Sequence, residues 1–299
     1  MLVFATSDKG GTGRSVTTSN IAYQSALAGN DVCYLDFDFG SPTAGAVFDV
    51  DSGRLGVPAG GLHSYLLGRV AEPQRIDVFA ETERRSVRDR PYDAGRLVLM
   101  PGDSGVGEFP SSPELVRRCA ALLARLNGEF QVCFVDLSAG RSYALQMALA
   151  AARRLPGVTA RWLVYHRWTK QHVIAAASLV HGEHGILHTG ADLEHDREQL
   201  LASLRFVRTA TVDPARPGLT VQQAVWIKEW DGRLRALAQA QGAGPLSLLH
   251  TVPLDPLLQW HEQLITNEDV FLGIANPETA AAFKKLAELI AEDKAWEAP

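Results

Sequence analysis

The chain has little cysteine, with three cysteines among 299 residues and no C-x-x-C spacing. Cys33 and Cys133 lie in apolar runs that predict strands, and Cys119 lies in a run with helical spacing. Isolated cysteines of this kind argue against a disulfide framework and against a cysteine-ligated zinc site. We therefore expect a protein of the reduced cytoplasm.

Long apolar runs and a strong charge of one sign are absent as well. No apolar run approaches the ~18 residues that cross a bilayer, and a strand pattern already begins at residue 2, which predicts no cleavable signal peptide. The formal net charge of −5 provides no global basic field for nucleic acid. These absences disfavour a membrane protein and a DNA-binding protein, although local arginine clusters leave DNA open as a partner.

A glycine-rich turn between a strand pattern and a helix pattern is the most informative feature that is present. The apolar run 2–6 is followed by D-K-G-G-T-G-R-S at 8–15 and then by a helical pattern over 16–27. Glycines let backbone N–H groups turn toward an anion, and the first turn of the helix adds free N–H groups and partial positive charge there. The predicted phosphate-binding residues are Gly10, Gly11, Thr12, Gly13, Arg14, Ser15 and Val16.

Two further strand patterns end in carboxylates. The run 31–39 delivers Asp36 and Asp38, and the run 131–140 delivers Asp136. Ligand-binding groups collect beyond the carboxyl ends of parallel strands, so these acids and the hydroxyl of Ser15 are suited to hold Mg²⁺ or to orient water. The alternative is that Asp36 and Asp38 only cap the turn that follows their strand.

Three motifs together resemble the MinD/ParA family of dimerising ATPases. The order K-G-G-x-G-[KR]-S at 9–15 is the deviant form of the P-loop, the D-x-D at 36–38 is similar to switch I, and the D-x-x-x-G at 136–140 is similar to Walker B and switch II. The resemblance implies a P-loop NTPase fold, which is α/β with a single domain over 1–299. It predicts a mostly parallel twisted sheet of about seven strands flanked by helices on both faces, with ATP and Mg²⁺ as ligands.

The resemblance also implies roles for individual residues at the phosphate end of the site. Lys9 would reach across a nucleotide-dependent homodimer to the partner's phosphates, and Asp38 would position the hydrolytic water. Ser15 would bind the metal directly, whereas Asp36 and Asp136 would hold it through water.

Three other residues receive roles from the same resemblance. Gly140 would sense the γ-phosphate, and Arg208 and Asp255 would contact the base. The implied cycle is a switch that acts on an activating or cargo protein, which the sequence does not name.

Arg14 departs from the family pattern, because a lysine is expected at this position. Arginine is longer and planar; it can pair with phosphate oxygens, yet it can also misplace the charge that stabilises the transition state. We therefore predict an ATPase that binds nucleotide and hydrolyses it slowly. The alternative is a pseudo-ATPase scaffold that binds nucleotide or a protein partner without significant turnover.

The remaining patterns predict surface and packing features. A charged loop near 82–95 is expected to be solvated, and Trp226 and Trp230 are expected in the core, with a partner-binding face as the alternative. The histidine-rich loop over 181–195 is expected at the surface, with a metal site as the alternative. A last strand is expected over 246–252, and an amphipathic helix over 278–292 is expected to pack on the domain rather than on a membrane.

Overall fold

The short apolar runs form strands because a parallel sheet covered by helices buries both faces of each strand. The computed structural model describes residues 1–244 and 247–297. Its strands are β1 (Leu2–Thr6), β2 (Val32–Phe37), β3 (Ile76–Asp77), β4 (Leu97–Met100), β5 (Val132–Leu137), β6 (Ala160–Arg167), β7 (Leu204–Thr211) and β8 (Leu248–Pro253). They form one sheet in the order β3-β4-β2-β5-β1-β6-β7-β8, in which β3 runs antiparallel to β4 and the other neighbours are parallel. The predicted α/β class is confirmed, and the two-residue β3 adds an edge to the expected sheet.

Helices cover both faces of this sheet, as predicted. One apolar core lies between the sheet and the helices at 113–129, 143–153 and 170–181, and a second core lies between the sheet and the helices at 14–27 and 277–291. Within the described part of the chain, short 3-10 helices span Asp51–Gly53 and Asp293–Trp296. The helices are α1 (Arg14–Leu27), α2 (Ala44–Val47), α3 (Leu62–Leu66), α4 (Val78–Glu81), α5 (Arg85–Arg88), α6 (Pro113–Glu129), α7 (Tyr143–Arg153), α8 (Lys170–His181), α9 (Ile186–Asp192), α10 (Arg197–Ala202), α11 (Val221–Ala240), α12 (Pro256–Trp260), α13 (Asn267–Phe271) and α14 (Pro277–Ala291).

The register of the central strands decides which side chains meet at the carboxyl edge of the sheet. Along β1, Leu2 and Phe4 enter one core and Val3 enters the other, because successive side chains of a strand point to opposite faces. In the neighbouring pair β2 and β5, Asp36 lies directly beside Asp136. Acids that are 100 positions apart in the sequence therefore come together at one edge.

The C-terminal amphipathic helix packs on the domain, as predicted. It is α14, and its apolar residues Phe283, Leu286 and Ile290 are buried against α1 and β8. Within the described residues, no helix has both the length and the apolar composition needed to cross a membrane.

The prediction that Trp226 and Trp230 lie in the core is wrong. The two rings stack on each other on α11 with centroids 5.7 Å apart, and Trp226 is 60% exposed. No residue between 221 and 230 is buried, since α11 contacts the core only farther along, at Leu234 and Ala238. The spacing of the two rings is helical, but the first half of this helix has no core to face.

The charged loop near 82–95 is only partly solvated. It contains the short helix α5, and most of its arginines are exposed. Arg84 is different, because its guanidinium donates to both carboxylate oxygens of Asp269, at 2.8 and 3.0 Å, and to the carbonyl oxygen of Leu264. The loop is thus attached to the segment around α13, which the local charge pattern did not predict.

Two other expectations concern the histidine-rich stretch over 181–195 and the last strand. Much of the histidine-rich stretch is helical, with α9 inside it, and the Nε2 of His195 lies 2.9 Å from the carbonyl oxygen of Leu149. Across residues 1–244 and 247–297, no group of three or more His, Cys, Asp or Glu side chains is placed to hold a metal ion. The last strand is β8; the expected first residue of that strand, Leu246, lies outside the described residues.

Candidate nucleotide-binding site

The glycine-rich turn forms an open loop at the N-terminal end of α1. Gly11 and Gly13 have φ values of +69° and +75°, which side-chain-bearing residues rarely adopt, and α1 begins directly afterwards at Arg14. The backbone of residues 9–11 is exposed, and no atom lies within 4 Å of the Cβ position at Gly10 or Gly11. The loop can therefore present its N–H groups to an anion together with those of the first helical turn.

Two hydrogen bonds from distant segments hold the loop. Thr209, at the end of β7, donates its Oγ1 hydroxyl to the carbonyl oxygen of Thr12 at 2.6 Å. Gly140, which has a φ of +80°, donates its N–H to the carbonyl oxygen of Ser7 at 2.7 Å. This hydrogen bond links the glycine-rich loop to the segment around Gly140. The sequence contained no recognisable signal for Thr209.

Lys9 and Asp8 are neighbours in the loop but differ in their contacts. Lys9 is exposed, and in the described part of the chain no carboxylate pairs with its ammonium group. Asp8 instead pairs with Arg141 at 3.0 Å, and Arg141 also donates to the carbonyl and hydroxyl oxygens of Ser178. This second link between the 138–141 segment and the loop was not predicted, because nothing local distinguishes Asp8 from any other loop acid.

A cavity of about 230 Å³ lies beside the glycine-rich loop, between α1, the end of β7 and α12. Its lining includes Gly11, Gly13, Val16 and Asp255. The carboxylate of Asp255 is buried and accepts two backbone hydrogen bonds, from Leu257 at 3.0 Å and from Asn276 at 2.9 Å. Asp255 therefore shapes this cavity by capping α12, with both oxygens already engaged.

Arg208 does not line this cavity, although the sequence placed it with Asp255. Thr209 points toward the glycine-rich loop, so its strand neighbour Arg208 points to the opposite face of the sheet. There it lines a larger cavity with Trp168, which adjoins the first cavity at Pro253 and Leu254. The two residues expected at a base therefore lie in different cavities.

The acidic side chains at the strand ends surround Arg14. The Arg14 Nε lies 2.5 Å from an oxygen of Asp136, and its Nη2 lies 2.9 Å from an oxygen of Asp38 and 3.2 Å from the Oγ of Ser15. The second oxygen of Asp136 accepts a hydrogen bond from the Tyr34 hydroxyl at 2.9 Å. The guanidinium therefore bridges the switch-like segments instead of extending along the glycine-rich loop.

The electrostatics of this cluster follow from its burial. Burial alone would lower the pKa of Arg14, but the charges of Asp136 and Asp38 outweigh it and raise the pKa above its ordinary value. Asp36 is 2% exposed, and burial, assisted by the charge of Asp136, raises its pKa to about 8. Asp36 is thus predominantly the neutral acid near pH 7, whereas Arg14 carries its full charge.

Asp36 also explains how the loop after β2 is built. Its carboxyl oxygens accept the backbone N–H groups of Ala44 at 3.0 Å and of Asp38 at 3.2 Å. The turn-capping alternative therefore describes what Asp36 does here. Asp38 is not used in this way, since its side chain contacts Arg14.

The magnesium ion that the resemblance implies does not fit these residues as they are arranged. Each of the three predicted metal-holding residues is already engaged: Ser15 and Asp136 with Arg14, and Asp36 with backbone N–H groups. A guanidinium and a divalent cation compete for the same carboxylate oxygens. The cationic position beside Asp136 is filled by the protein itself.

Solved structures resemble this chain, whereas family models and curated sequences do not. No protein-family model matches the sequence, and no curated protein matches it. The fold matches the septum site-determining protein MinD from Pyrococcus horikoshii, solved with Mg-ADP, at 17% identity with a TM-score of 0.56 over 98% of each chain. The chain has the MinD/ParA fold.

Two further solved structures with this fold are similar along nearly their whole length. A plasmid partition protein from Borrelia burgdorferi bound to AMPPNP shares 14% identity and a TM-score of 0.62 over 98% of each chain. A ParA-family ATPase from Chlorobium tepidum shares 12% identity and a TM-score of 0.53, over 96% of this chain and 98% of that one. The MinD/ParA resemblance seen in the three motifs is therefore matched by the arrangement of the whole sheet.

Proposed function

We propose that this chain is a nucleotide-binding switch protein of the MinD/ParA type, which binds ATP at the 9–15 loop and hydrolyses it slowly. The observation that carries the proposal is the open loop itself, in which the left-handed Gly11 and Gly13 present backbone N–H groups at the start of α1. Nucleotides in the P. horikoshii and B. burgdorferi structures of the same fold support it.

The loop can bind the phosphate chain with its backbone and with the first turn of α1. The cavity beside it, which reaches Val16 and α12, can hold the rest of the nucleotide. The hydrogen bond between Gly140 and Ser7 connects an occupied loop to the 138–141 segment, which would let phosphate binding change the position of that segment.

Slow hydrolysis follows from the contacts of Arg14. To reach phosphate oxygens, its guanidinium has to leave Asp136 and Asp38, and separating a buried ion pair is unfavourable. Asp38, proposed to position the water, is held by the same guanidinium. A loss of about 2 kcal/mol in transition-state stabilisation slows a reaction about 30-fold.

Arg14 also bears on the metal. Magnesium in this fold screens phosphate charge when it is bound, but no step here depends on it, because Arg14 already neutralises the carboxylates that would hold it. We therefore propose that nucleotide binding to this chain does not require a divalent cation.

The same contacts favour a second candidate, a pseudo-ATPase scaffold that holds nucleotide or a protein partner without turnover. In that case the bridge between Arg14, Asp136 and Asp38 would be permanent and would lock the switch-like segments in one arrangement. Phosphate release distinguishes the two: measurable ATP-dependent release supports the slow switch, and none over a day supports the scaffold.

Calorimetry with ATP, ADP and GTP tests the binding site directly. Gly13→Val places a side chain at a φ of +75° in the loop and is expected to abolish binding. Gly157→Val, which imposes the same strain at a φ of +83° in the connection between α7 and β6, is the matched control and is expected to bind normally. If the unmodified chain gives no heat with any of these nucleotides at millimolar concentration, the proposed function is wrong.

Homodimer formation is part of the proposal because Lys9 is exposed and free to contact a second subunit. We expect the mass measured by light scattering to double on addition of a non-hydrolysable ATP analogue. Lys9→Ala is expected to prevent the change, and Lys284→Ala, on the exposed face of α14, is expected to leave it intact. The protein that such a dimer would act on is open.

A further inference from the structure

Arg208 is a buried charge for which the described residues provide no counterion. The residue is 5% exposed, and its Nε is buried with no hydrogen-bond partner in residues 1–244 and 247–297. Within the same residues, none of its nitrogens donates to another protein group. A buried guanidinium normally has such partners, because an unpaired buried charge is unfavourable.

The Arg208 guanidinium is covered on one face but has no hydrogen-bond partner among the described residues. One face of the group is covered by the indole ring of Trp168, with the Arg208 Cζ 3.4 Å from the ring centroid. Stacking of this kind holds the group in place by a cation–π contact but satisfies no N–H donor. Arg208 lines the cavity, and its two Nη groups donate to no protein group in the described residues.

Two of the three acidic residues that line this cavity are occupied by other groups. Asp231 accepts hydrogen bonds from the Trp168 indole N–H at 2.7 Å and from the Arg235 Nε at 2.6 Å. Asp213 accepts the backbone N–H of Ala215 at 2.8 Å. The third is Glu278, and in the described residues neither it nor Asp231 forms an ion pair with Arg208, although the charge of Asp231 acts on Arg208 at longer range.

The shape of the cavity adds an apolar compartment to this charge. Its volume is about 610 Å³, which exceeds what a bare oxyanion needs and falls within the range of small-molecule sites. Pro214, Pro217, Pro253 and Leu254 contribute apolar walls. A ligand that fits both features has an anionic end and a small apolar body.

We propose that this cavity is a second ligand site, in which the Arg208 fork binds the oxyanion of a small organic acid or phosphate ester while Trp168 orients the fork. A carboxylate and a phosphate each present two oxygens that match the paired donors of a guanidinium. The site is distinct from the proposed nucleotide site but adjoins it: the two cavities share Pro253 and Leu254, while Arg208 and Thr209 lie on opposite faces of β7.

Benzoate and phenyl phosphate are suitable probes, since each joins an oxyanion to a small apolar ring and they represent the two chemistries. We expect calorimetric binding of at least one probe to the full chain. Arg208→Gln is expected to weaken that binding by about tenfold or more, because the charge and the fork are both removed. Arg233→Gln, on the exposed face of α11 away from the cavity, is the matched control and is expected to bind the probe normally.

Three results would overturn the proposal: no binding of either probe at millimolar concentration, equal binding by Arg208→Gln, or displacement of the probe by ATP. If Arg208→Gln does not fold, probe binding is measured with Arg208→Lys instead, because this variant keeps the positive charge and loses the paired donors of the guanidinium. Binding by Arg208→Lys that is several-fold weaker supports the proposal, and unchanged binding contradicts it. The nucleotide experiments above are independent of these outcomes, so either proposal can fail alone.

Discussion

Arg14 and Arg208 are buried to nearly the same depth at the carboxyl edge of the sheet, yet their surroundings differ. They are 6% and 5% exposed. Arg14 lies between two carboxylates, whereas Arg208, among the described residues, has the face of Trp168 and no carboxylate within ion-pair distance. Because a buried charge needs compensation, Arg14 is a completed structural bridge, whereas Arg208 is the residue for which we propose an external ligand.

The pKa values of the two guanidinium groups shift in opposite directions. Burial lowers both, but the neighbouring acids raise the pKa of Arg14 above its ordinary value. For Arg208 burial dominates, the charge of Arg235 adds to it, and the pKa falls to about 10 although the charge of Asp231 opposes the shift. The two arginines are equally buried, so the difference lies in how close the carboxylates are.

The largest effect should come from removing the two charges in turn. Arg14→Met leaves Asp136 buried without its cation, and we expect it to lower the free energy of unfolding by about 3–5 kcal/mol. Arg208→Met removes a charge that has no counterion, and we expect a change of less than about 1 kcal/mol, or an increase. Urea denaturation of both variants checks this. Similar losses for the two variants would remove the distinction between the arginines.

A pH effect of intermediate size should come from His166, which lies beside the Arg208 cavity with its ring 6.1 Å from that of Trp168. Burial, with a contribution from the Arg208 charge, lowers the His166 pKa from 6.5 to about 4. Since the unfolded chain binds this proton more readily, the contribution of His166 to stability is present above about pH 6.5 and is lost as the pH falls toward 4. The shift corresponds to about 3 kcal/mol at most.

His166→Gln measures this contribution. We expect the difference in unfolding free energy between pH 7 and pH 4.5 to be smaller in the variant than in the unmodified chain, as measured by urea denaturation at each pH. An identical difference would show that His166 titrates normally and that the region around Arg208 tolerates a second charge.

A smaller effect, on the rate of ATP hydrolysis, should come from changing Arg14 to lysine. In Arg14→Lys, all donors lie on one nitrogen, whereas Arg14 reaches Asp136 and Asp38 through two different nitrogens, Nε and Nη2. We therefore expect the ammonium group to bridge the two carboxylates less well and to approach the phosphates more readily. We expect ATP hydrolysis, followed by phosphate release, to rise about 30-fold, which corresponds to about 2 kcal/mol. Arg161→Lys, at a buried arginine far from the loop, controls for general effects of the exchange. An unchanged rate in Arg14→Lys would show that the bridge does not limit hydrolysis.

The smallest effect should be that of divalent cations on binding. With Arg14 in place of a metal, we expect the ATP affinity of the unmodified chain to change by less than about threefold between magnesium and EDTA. Arg14→Lys is expected to gain a magnesium dependence of about tenfold or more, because its carboxylates are released for a metal shell. Strong magnesium dependence in the unmodified chain would mean that the Arg14 bridge opens when nucleotide binds.

Features encoded by short stretches of sequence were predictable. The strand–turn–helix order around 2–27, the apolar face of α14 and the acids at the ends of β2 and β5 follow from local spacing. The wrong and incomplete predictions concern Trp226, Arg84 and β3, where the outcome depends on whether a distant segment is present to pack or pair. Helical spacing identifies the side of α11 that carries Trp226, but not whether anything covers that side.

The sequence by itself determined the class of the fold and the presence of a glycine-rich turn at the start of α1, because glycine conformations and apolar periodicity act over a few residues. Only the tertiary structure decided that Arg14 pairs with Asp136, 122 positions away, and that Thr209 supports the loop while Arg208 turns from it. The physical reason is that a charged side chain takes its direction from the counterions and strand register around it. Those neighbours come from strands that are close together only after folding.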